Sequence, residues 1–145
     1  MALPRKIAAL MVLTLGSCGL AQSAPKAYLT VDHSTEAVMD EATAQAVWAD
    51  KMPARLNKRL FKLYPTPRWG FVSQVEGGFT ADKVCVITAR AMLMPRSGKV
   101  LSFKPSKTAT AFDAQAGATQ AQCKALAKAK LGEAIEAVLS SLVGR

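Results

Sequence analysis

The chain has 145 residues, of which 50% are apolar, and its formal net charge is +9. This length leaves room for one domain, and the apolar content supplies a core that needs neither a metal nor an obligate partner. The positive charge favours anionic partners: lipid headgroups, polyanionic glycans, acidic proteins or nucleic acid.

The first residues have the pattern of a secretory signal. Arg5 and Lys6 form a short positive region, and the apolar run Ile7–Leu15 follows it. This run is too short to span a bilayer stably, so it predicts a cleaved leader. Loss of the leader leaves 17 basic and 10 acidic residues, a net charge of +7. For an exported chain we expect no nucleic-acid partner.

The end of the leader decides how the protein is anchored. The sequence from Leu15 to Cys18 resembles the bacterial lipobox, with Gly16 where Ala, Ser or Thr is more usual. The resemblance implies that residues 1–17 are removed, that Cys18 carries diacylglycerol and fatty acids such as palmitate, and that Gly19 directs the protein to the outer membrane. The alternative is ordinary cleavage after Ala21 or Ser23, which gives a soluble periplasmic or secreted protein.

The cysteine count agrees with export. The chain has three cysteines, and removal or acylation of Cys18 leaves Cys85 and Cys123. An oxidising compartment pairs such residues, so we predict a disulfide bond between them, the alternative being two separate buried thiols. A loop of this length gives a stabilisation of about 4 kcal/mol by the chain-entropy model.

The N-terminal part predicts a tether and then helices. Residues 18–33 form the tether, in which Ala27–Val31 fits a short first strand, and residues 34–145 form a single domain. Ser34 or Thr35 is the predicted N-cap of a helix, which Pro53 interrupts with a kink.

The helical pattern resumes over Ala54–Tyr64, with leucines on one side and cations on another. No acidic residue lies between Asp50 and Glu76. We predict an anionic-surface binding face made of these cations: Lys51, Arg55, Lys58, Arg59, Lys62 and Arg68. The competing interpretation is a solvated face that keeps a small protein soluble.

Three strands follow in the C-terminal half. Trp69–Glu76 predicts the first, and Val84–Met94 the central one, with a wholly apolar face that contains Cys85 and Ile87. The opposite face of the central strand is either covered by a helix or exposed for a partner. Residues 100–103 and 108–112 form a return strand that Pro105 interrupts, which predicts an edge or a bulged strand.

From Ala114 to Val143 the pattern is helical, and it carries one apolar stripe. The stripe consists of Cys123, Ala127, Leu131, Ala134, Ile135, Val138 and Leu142. The predicted fold is therefore α+β in the order (β)-α-β-β-β-α. A small antiparallel sheet of three to four strands packs with a kinked N-terminal helix and a long C-terminal helix.

Catalytic and metal-binding patterns are scarce. His33 is the only histidine, and we interpret it as a surface residue rather than a general base. The neighbouring carboxylates Asp40 with Glu41, and Glu133 with Glu136, are typical of solvated helix faces. Trp48 and Trp69 are predicted packing anchors. No metal spacing or phosphate-binding loop occurs, so we expect no cofactor and no metal.

The sequence therefore favours a non-catalytic envelope lipoprotein, on the periplasmic side of the outer membrane. It would act as a binding or assembly module for an envelope protein or an anionic lipid or glycan surface. The alternative is a soluble periplasmic or secreted enzyme, or an inhibitor that uses the loop Pro95–Lys99. No residue pattern fixes the oligomeric state.

Overall fold

The computed structural model describes residues 27–143. The leader, its cleavage sites and Cys18 lie outside the described residues. The described elements are β1 Leu29–Asp32, α1 Glu41–Lys51, a 3₁₀ turn Pro53–Arg55, α2 Lys58–Leu63, β2 Trp69–Phe79, β3 Val84–Ser97, β4 Val100–Leu101, β5 Lys107–Ala116 and α3 Gln120–Leu142. The α+β fold and the order of its main elements are confirmed.

The sheet is built around β3. β2 pairs antiparallel with one side of it, from Trp69 opposite Pro95 to Phe79 opposite Cys85, and β5 pairs antiparallel with the other side. β4 forms a short hairpin with the end of β3. β1 pairs parallel with β2, so the sheet is mixed rather than purely antiparallel. The helices between β1 and β2 supply the long crossover that parallel pairing requires.

The inner face of the sheet and the α3 stripe form the main core. Every second residue of β3 from Cys85 to Leu93 is fully buried, and all seven residues predicted for the α3 stripe are buried against this face. Trp48 of α1 packs 5.2 Å from the ring of Phe71, while Trp69 lies half-buried against Tyr64. Both tryptophans are packing residues, as predicted.

The outer face of β3 divides into two parts. Met92 and Met94 are buried in a small second cluster with Val72, and Leu101 of β4 packs against it. Val86, nearer the start of the strand, is 38% exposed. No helix residue of the described chain belongs to the second cluster. The β3–β4 hairpin therefore takes the place that the sequence left open for a covering helix.

The first helix begins later than predicted. Asp40 is the N-cap of α1, since its Oδ1 accepts a hydrogen bond of 2.8 Å from the backbone N–H of Thr43. Ser34 and Thr35 instead bind the edge of β2: the Ser34 hydroxyl accepts from the Val75 N–H, and the Thr35 N–H donates to the Val75 carbonyl. The prediction of an N-cap at these two residues was wrong because their polar groups complete the sheet.

The predicted helix Ala54–Tyr64 is divided. Pro53 starts a separate 3₁₀ turn, as expected for a kink, and Asn57 then caps α2 through a 2.8 Å bond from the Leu60 N–H to its side chain. Leu60 is buried in the main core, whereas Leu63 is 51% exposed. The leucines of this segment therefore do not form one continuous buried face.

The C-terminal helix also begins later than predicted. Ala114–Ala116 belong to β5, where they pair with the start of β3, and Gly117 turns the chain with a positive φ of 66°. Thr119 and Gln122 form a capping box at the start of α3. The strong helix formers Ala and Gln did not decide the structure here, because pairing with β3 satisfies their backbone groups.

Candidate functional site

A disulfide bond joins the sheet to the long helix. Cys85, at the start of β3, is bonded to Cys123 in the first turns of α3, and their Cα atoms are 5.7 Å apart. Both residues are fully buried. The predicted pairing is confirmed, and it marks one end of the molecule.

We call this the disulfide end and define it as residues 36–41, 76–85 and 117–124. The opposite end of the sheet is the basic end, defined as residues 53–68 and 95–107. β2 runs from the basic end to the disulfide end, and β3 returns in the opposite direction. β1 begins at the basic end, because Leu29 lies beside Gly70 at the start of β2.

The first segment of the basic end holds five of the six cations predicted for the binding face. Arg55, Lys58, Arg59, Lys62 and Arg68 are all exposed. None of them takes part in an ion pair within residues 27–143. These five side chains therefore offer unneutralised positive charge to an external anion.

Lys51 is separated from them. Its Nζ lies 3.0 Å from the carboxylate of Glu136 on α3 and 3.5 Å from that of Asp50. The hydrogen bond to Glu136 is the main reason that the pKa of Lys51 is raised above its ordinary value. This lysine joins α1 to α3, so its positive charge is already balanced.

Sequence reasoning missed the second segment of the basic end. Residues 95–107 carry Arg96, Lys99, Lys104 and Lys107, and no acidic residue lies between Asp82 and Asp113. The two segments meet, since the backbone N–H of Arg96 donates a 2.8 Å hydrogen bond to the carbonyl of Arg68. The absence of acids over this stretch was the signal available in the sequence.

The basic end therefore contains nine cations and no acid. The disulfide end has the opposite character, with five acids against the two cations Lys83 and Lys124. Its acids are Glu36, Asp40, Glu41, Glu76 and Asp82. Backbone and hydroxyl hydrogen bonds from Thr43 hold the pKa of Asp40 below its usual range. The molecule is thus electrically polar along its strands.

Exposed apolar side chains accompany the cations of the basic end. Val100 is 71% exposed and Phe103 is 83% exposed, between Lys99 and Lys104 in sequence. Leu63, beside Lys62 on α2, is also exposed. This end combines unpaired positive charge with apolar surface.

A groove of about 680 Å³ runs between α1 and α3, and its charged lining residues are Asp50, Lys51, Lys128, Glu133 and Glu136. Lys51 binds the carboxylates of Asp50 and Glu136 there. Glu133 binds Lys130 at 2.8 Å, a residue of α3 outside the lining that also binds Asp113 of β5 at 3.2 Å. Hydrogen bonds to Glu133 first, and then to Asp113, raise the pKa of Lys130. The groove shows ion pairs that tie elements together rather than two carboxyls converging on a substrate.

His33 is exposed, and its ring lies 6.3 Å from that of Phe103. Within residues 27–143 no group of three or more His, Cys, Asp or Glu side chains is placed to hold a metal ion. In the same residues, no helix has both the length and the apolar character needed to cross a membrane.

No known protein family matches the chain, and no curated protein matches it. Its structure is similar to that of a single-residue variant of the PelC dodecamer from Paraburkholderia phytofirmans, with a TM-score of 0.46 and 12% identity over 79% of this chain and 90% of that one. A second structure of the PelC dodecamer from the same organism gives a TM-score of 0.45 and 16% identity over 81% and 88% of the two chains.

Proposed function

We propose that this protein is a non-catalytic, exported envelope lipoprotein that binds an anionic envelope component through the basic end. Cys18 is its lipid attachment site, and the periplasmic side of the outer membrane is its location. The observation that carries the proposal is the set of exposed cations at residues 55–68, which have no ion-pair partner in the described chain.

The cations of α2 and of the turn before it attract an anionic membrane. Near an anionic membrane, each Lys or Arg contributes on the order of 1 kcal/mol of attraction. Arg55, Lys58, Arg59 and Lys62 lie within eight residues, and no acid in their segment competes for them. Four such charges supply about 4 kcal/mol, which is enough to hold a tethered domain against phosphate-bearing headgroups.

Export is supported by the covalent chemistry. A buried disulfide between a strand and a helix is typical of proteins that fold outside the reducing cytoplasm. Cys18 is the remaining cysteine, and the lipobox-like sequence before it gives it a role that leaves no exposed free thiol.

The test is a charge reversal with a matched control. Arg55, Lys58, Arg59 and Lys62 are changed together to Glu in protein that also carries Cys18→Ser, so that no acyl chain contributes to binding. The affinity of this variant for phosphatidylglycerol vesicles or lipopolysaccharide, measured by sedimentation, should fall by more than about 100-fold. The control variant reverses Lys83, Arg90, Lys124 and Lys128, which are also exposed and carry the same total charge.

The control variant should keep most of the binding, because its cations lie outside the basic end. Equal loss in both variants would show that net charge alone, and not this face, governs binding, and would contradict the proposal. The intact mass of protein purified from its native membrane tests the anchor. A mass starting at Cys18 with diacylglycerol and fatty acid attached supports it, and an unmodified chain starting at Gln22 or Ala24 contradicts it.

A further inference from the structure

The loop after the β3–β4 hairpin exposes apolar side chains that the fold does not use. Leu101 packs against the cluster of Val72, Met92 and Met94 on the outer face of the sheet. Because successive strand residues point to opposite faces, Val100 points away from that cluster, and it is 71% exposed. Phe103 is 83% exposed and approaches one ring, that of His33, edge-on.

The residues around these two side chains are positive. Lys99 and Lys104 flank them, and Arg96 and Lys107 lie just outside. No acidic residue lies within five positions of this stretch in the sequence. Apolar and aromatic side chains among lysines are typical of surfaces that enter the headgroup layer of an anionic membrane.

The position of the loop agrees with the proposed anchor. The described chain starts at the basic end, where the Tyr28 hydroxyl donates a 2.5 Å hydrogen bond to the carbonyl of Tyr64 just after α2. Tyr28 follows Cys18 by ten positions in the sequence. A fully extended chain of that length spans at most about 36 Å, so a lipid on Cys18 would keep the basic end close to the bilayer.

The disulfide end would be repelled if it approached such a surface in place of the basic end. From Gly70 to Phe79 along β2, the two ends are separated by about 30 Å of strand. This distance exceeds the Debye length of about 8 Å at physiological salt, so a membrane at the basic end interacts little with the acids of the disulfide end. The charge distribution therefore favours one orientation.

We propose that residues 99–104 are a membrane-docking loop. Val100 and Phe103 enter the headgroup region of an anionic bilayer, Lys99 and Lys104 bind its phosphates, and the disulfide end points away from the membrane. This inference rests on the proposed function, since it assumes that the anionic component is a lipid surface, and it adds the apolar contact and the orientation.

The first experiment measures insertion directly. Phe103→Cys and, as a control, Phe112→Cys are labelled with the environment-sensitive dye NBD in Cys18→Ser protein, while the disulfide stays oxidised. Phe112 is similarly exposed, at 78%, but lies on β5 opposite Thr88, away from the basic end. With phosphatidylglycerol vesicles, the emission at position 103 should shift to the blue and rise severalfold, and that at position 112 should not change.

The second experiment measures the apolar contribution to binding. Val100→Ser combined with Phe103→Ser should weaken partitioning onto the same vesicles by roughly tenfold, whereas Phe112→Ser should leave it unchanged. Both sets of side chains are exposed, so the fold is expected to survive either change.

The outcomes separate this inference from the proposed function. Vesicle binding that is lost on charge reversal of Arg55, Lys58, Arg59 and Lys62, but gives no blue shift at position 103, overturns the docking loop. It leaves the proposed function standing. No binding of the parent protein to anionic vesicles, with binding to lipopolysaccharide retained, overturns the docking loop alone, and no binding to either overturns both. A blue shift that appears on raising the protein concentration without vesicles shows that a second copy occupies the loop, and it also overturns the inference.

Discussion

The disulfide end and the basic end of this molecule differ in the contacts that stabilise them and in the sign of their charge. The disulfide end is secured by the Cys85–Cys123 bond and by the caps of α1 and α3, and its charges are mostly acidic. The basic end is held by aromatic packing and leaves nine cations without an acid in its two segments. Like charges gathered on one surface repel one another, so this arrangement does not serve stability. The disulfide end stabilises the fold, and the uncompensated charge of the basic end agrees with our proposal that it binds an anionic surface.

The largest effect should come from the disulfide end. Replacing both Cys85 and Cys123 by Ala removes the cross-link across 38 residues of sequence and should lower the free energy of unfolding by about 4 kcal/mol. Urea denaturation of the two proteins under oxidising conditions measures this difference. Vesicle binding of the folded variant should be unchanged, because the basic end keeps its cations. Lost binding by a still-folded variant would break the separation of roles.

The Tyr28 hydroxyl, which donates to Tyr64 of the basic end, should make the next largest contribution to the free energy of unfolding. Tyr28→Phe keeps the rings stacked on Phe61 but leaves the Tyr64 carbonyl without its donor, and it should cost about 1–2 kcal/mol. Thermal or urea unfolding checks this value. A change below the error of the measurement would show that the start of β1 is not held through this bond.

Tyr28 should also make the free energy of unfolding depend on pH. Burial raises the pKa of Tyr28 from 10.0 to about 12, which disfavours the ionised form in the folded protein. The folded state therefore binds more protons than the unfolded state between pH 10 and about 12, so stability should fall as the pH rises through this window. Tyr28→Phe should reduce that fall, and identical alkaline profiles of the two proteins would contradict the assignment.

A smaller effect is expected from the cap of α3. Thr119→Ala removes the side-chain acceptor for the Gln122 N–H and should cost about 1 kcal/mol. Thr119→Ser keeps the hydroxyl and serves as the control. If both variants are equally destabilised, the loss comes from the threonine methyl group rather than from the cap.

The smallest effect concerns the cap of α1. The folded-state pKa of Asp40 is lowered chiefly by the Thr43 N–H, so its contribution to stability is present above the unfolded pKa and is lost as pH falls through the folded pKa. Asp40→Asn keeps a capping oxygen but cannot titrate. Urea unfolding between pH 2 and 6 should show a slightly flatter profile for this variant, and a steeper one would contradict the sign.

The main core of the structure could be predicted from the sequence, whereas the basic end was predicted only in part. Alternating apolar residues predicted the buried face of β3, and helical spacing predicted the α3 stripe, because both patterns reflect burial directly. Cys85 and Cys123 fell on those two faces, so their pairing followed. The start of α3 was misplaced because Ala114–Ala116 have high helix propensity, while pairing with β3 decides their conformation.

The second basic segment was missed for a different reason. Arg96, Lys99 and Lys104 are spread over a hairpin and a loop, where no helical or strand period brings them together. Their closeness to Arg68 depends on the register of β2 and β3, which places Trp69 opposite Pro95. A charge count over acid-free stretches would have found them, whereas a search for patterned faces did not.

The most direct test of the account is amide hydrogen exchange of the Cys18→Ser protein with and without phosphatidylglycerol vesicles. We predict slower exchange in residues 57–64 and 97–106 when vesicles are present, and unchanged exchange in residues 76–83. Protection at the disulfide end, or no protection at either end under conditions where the protein sediments with the vesicles, would contradict the assignment of the basic end as the membrane-facing surface.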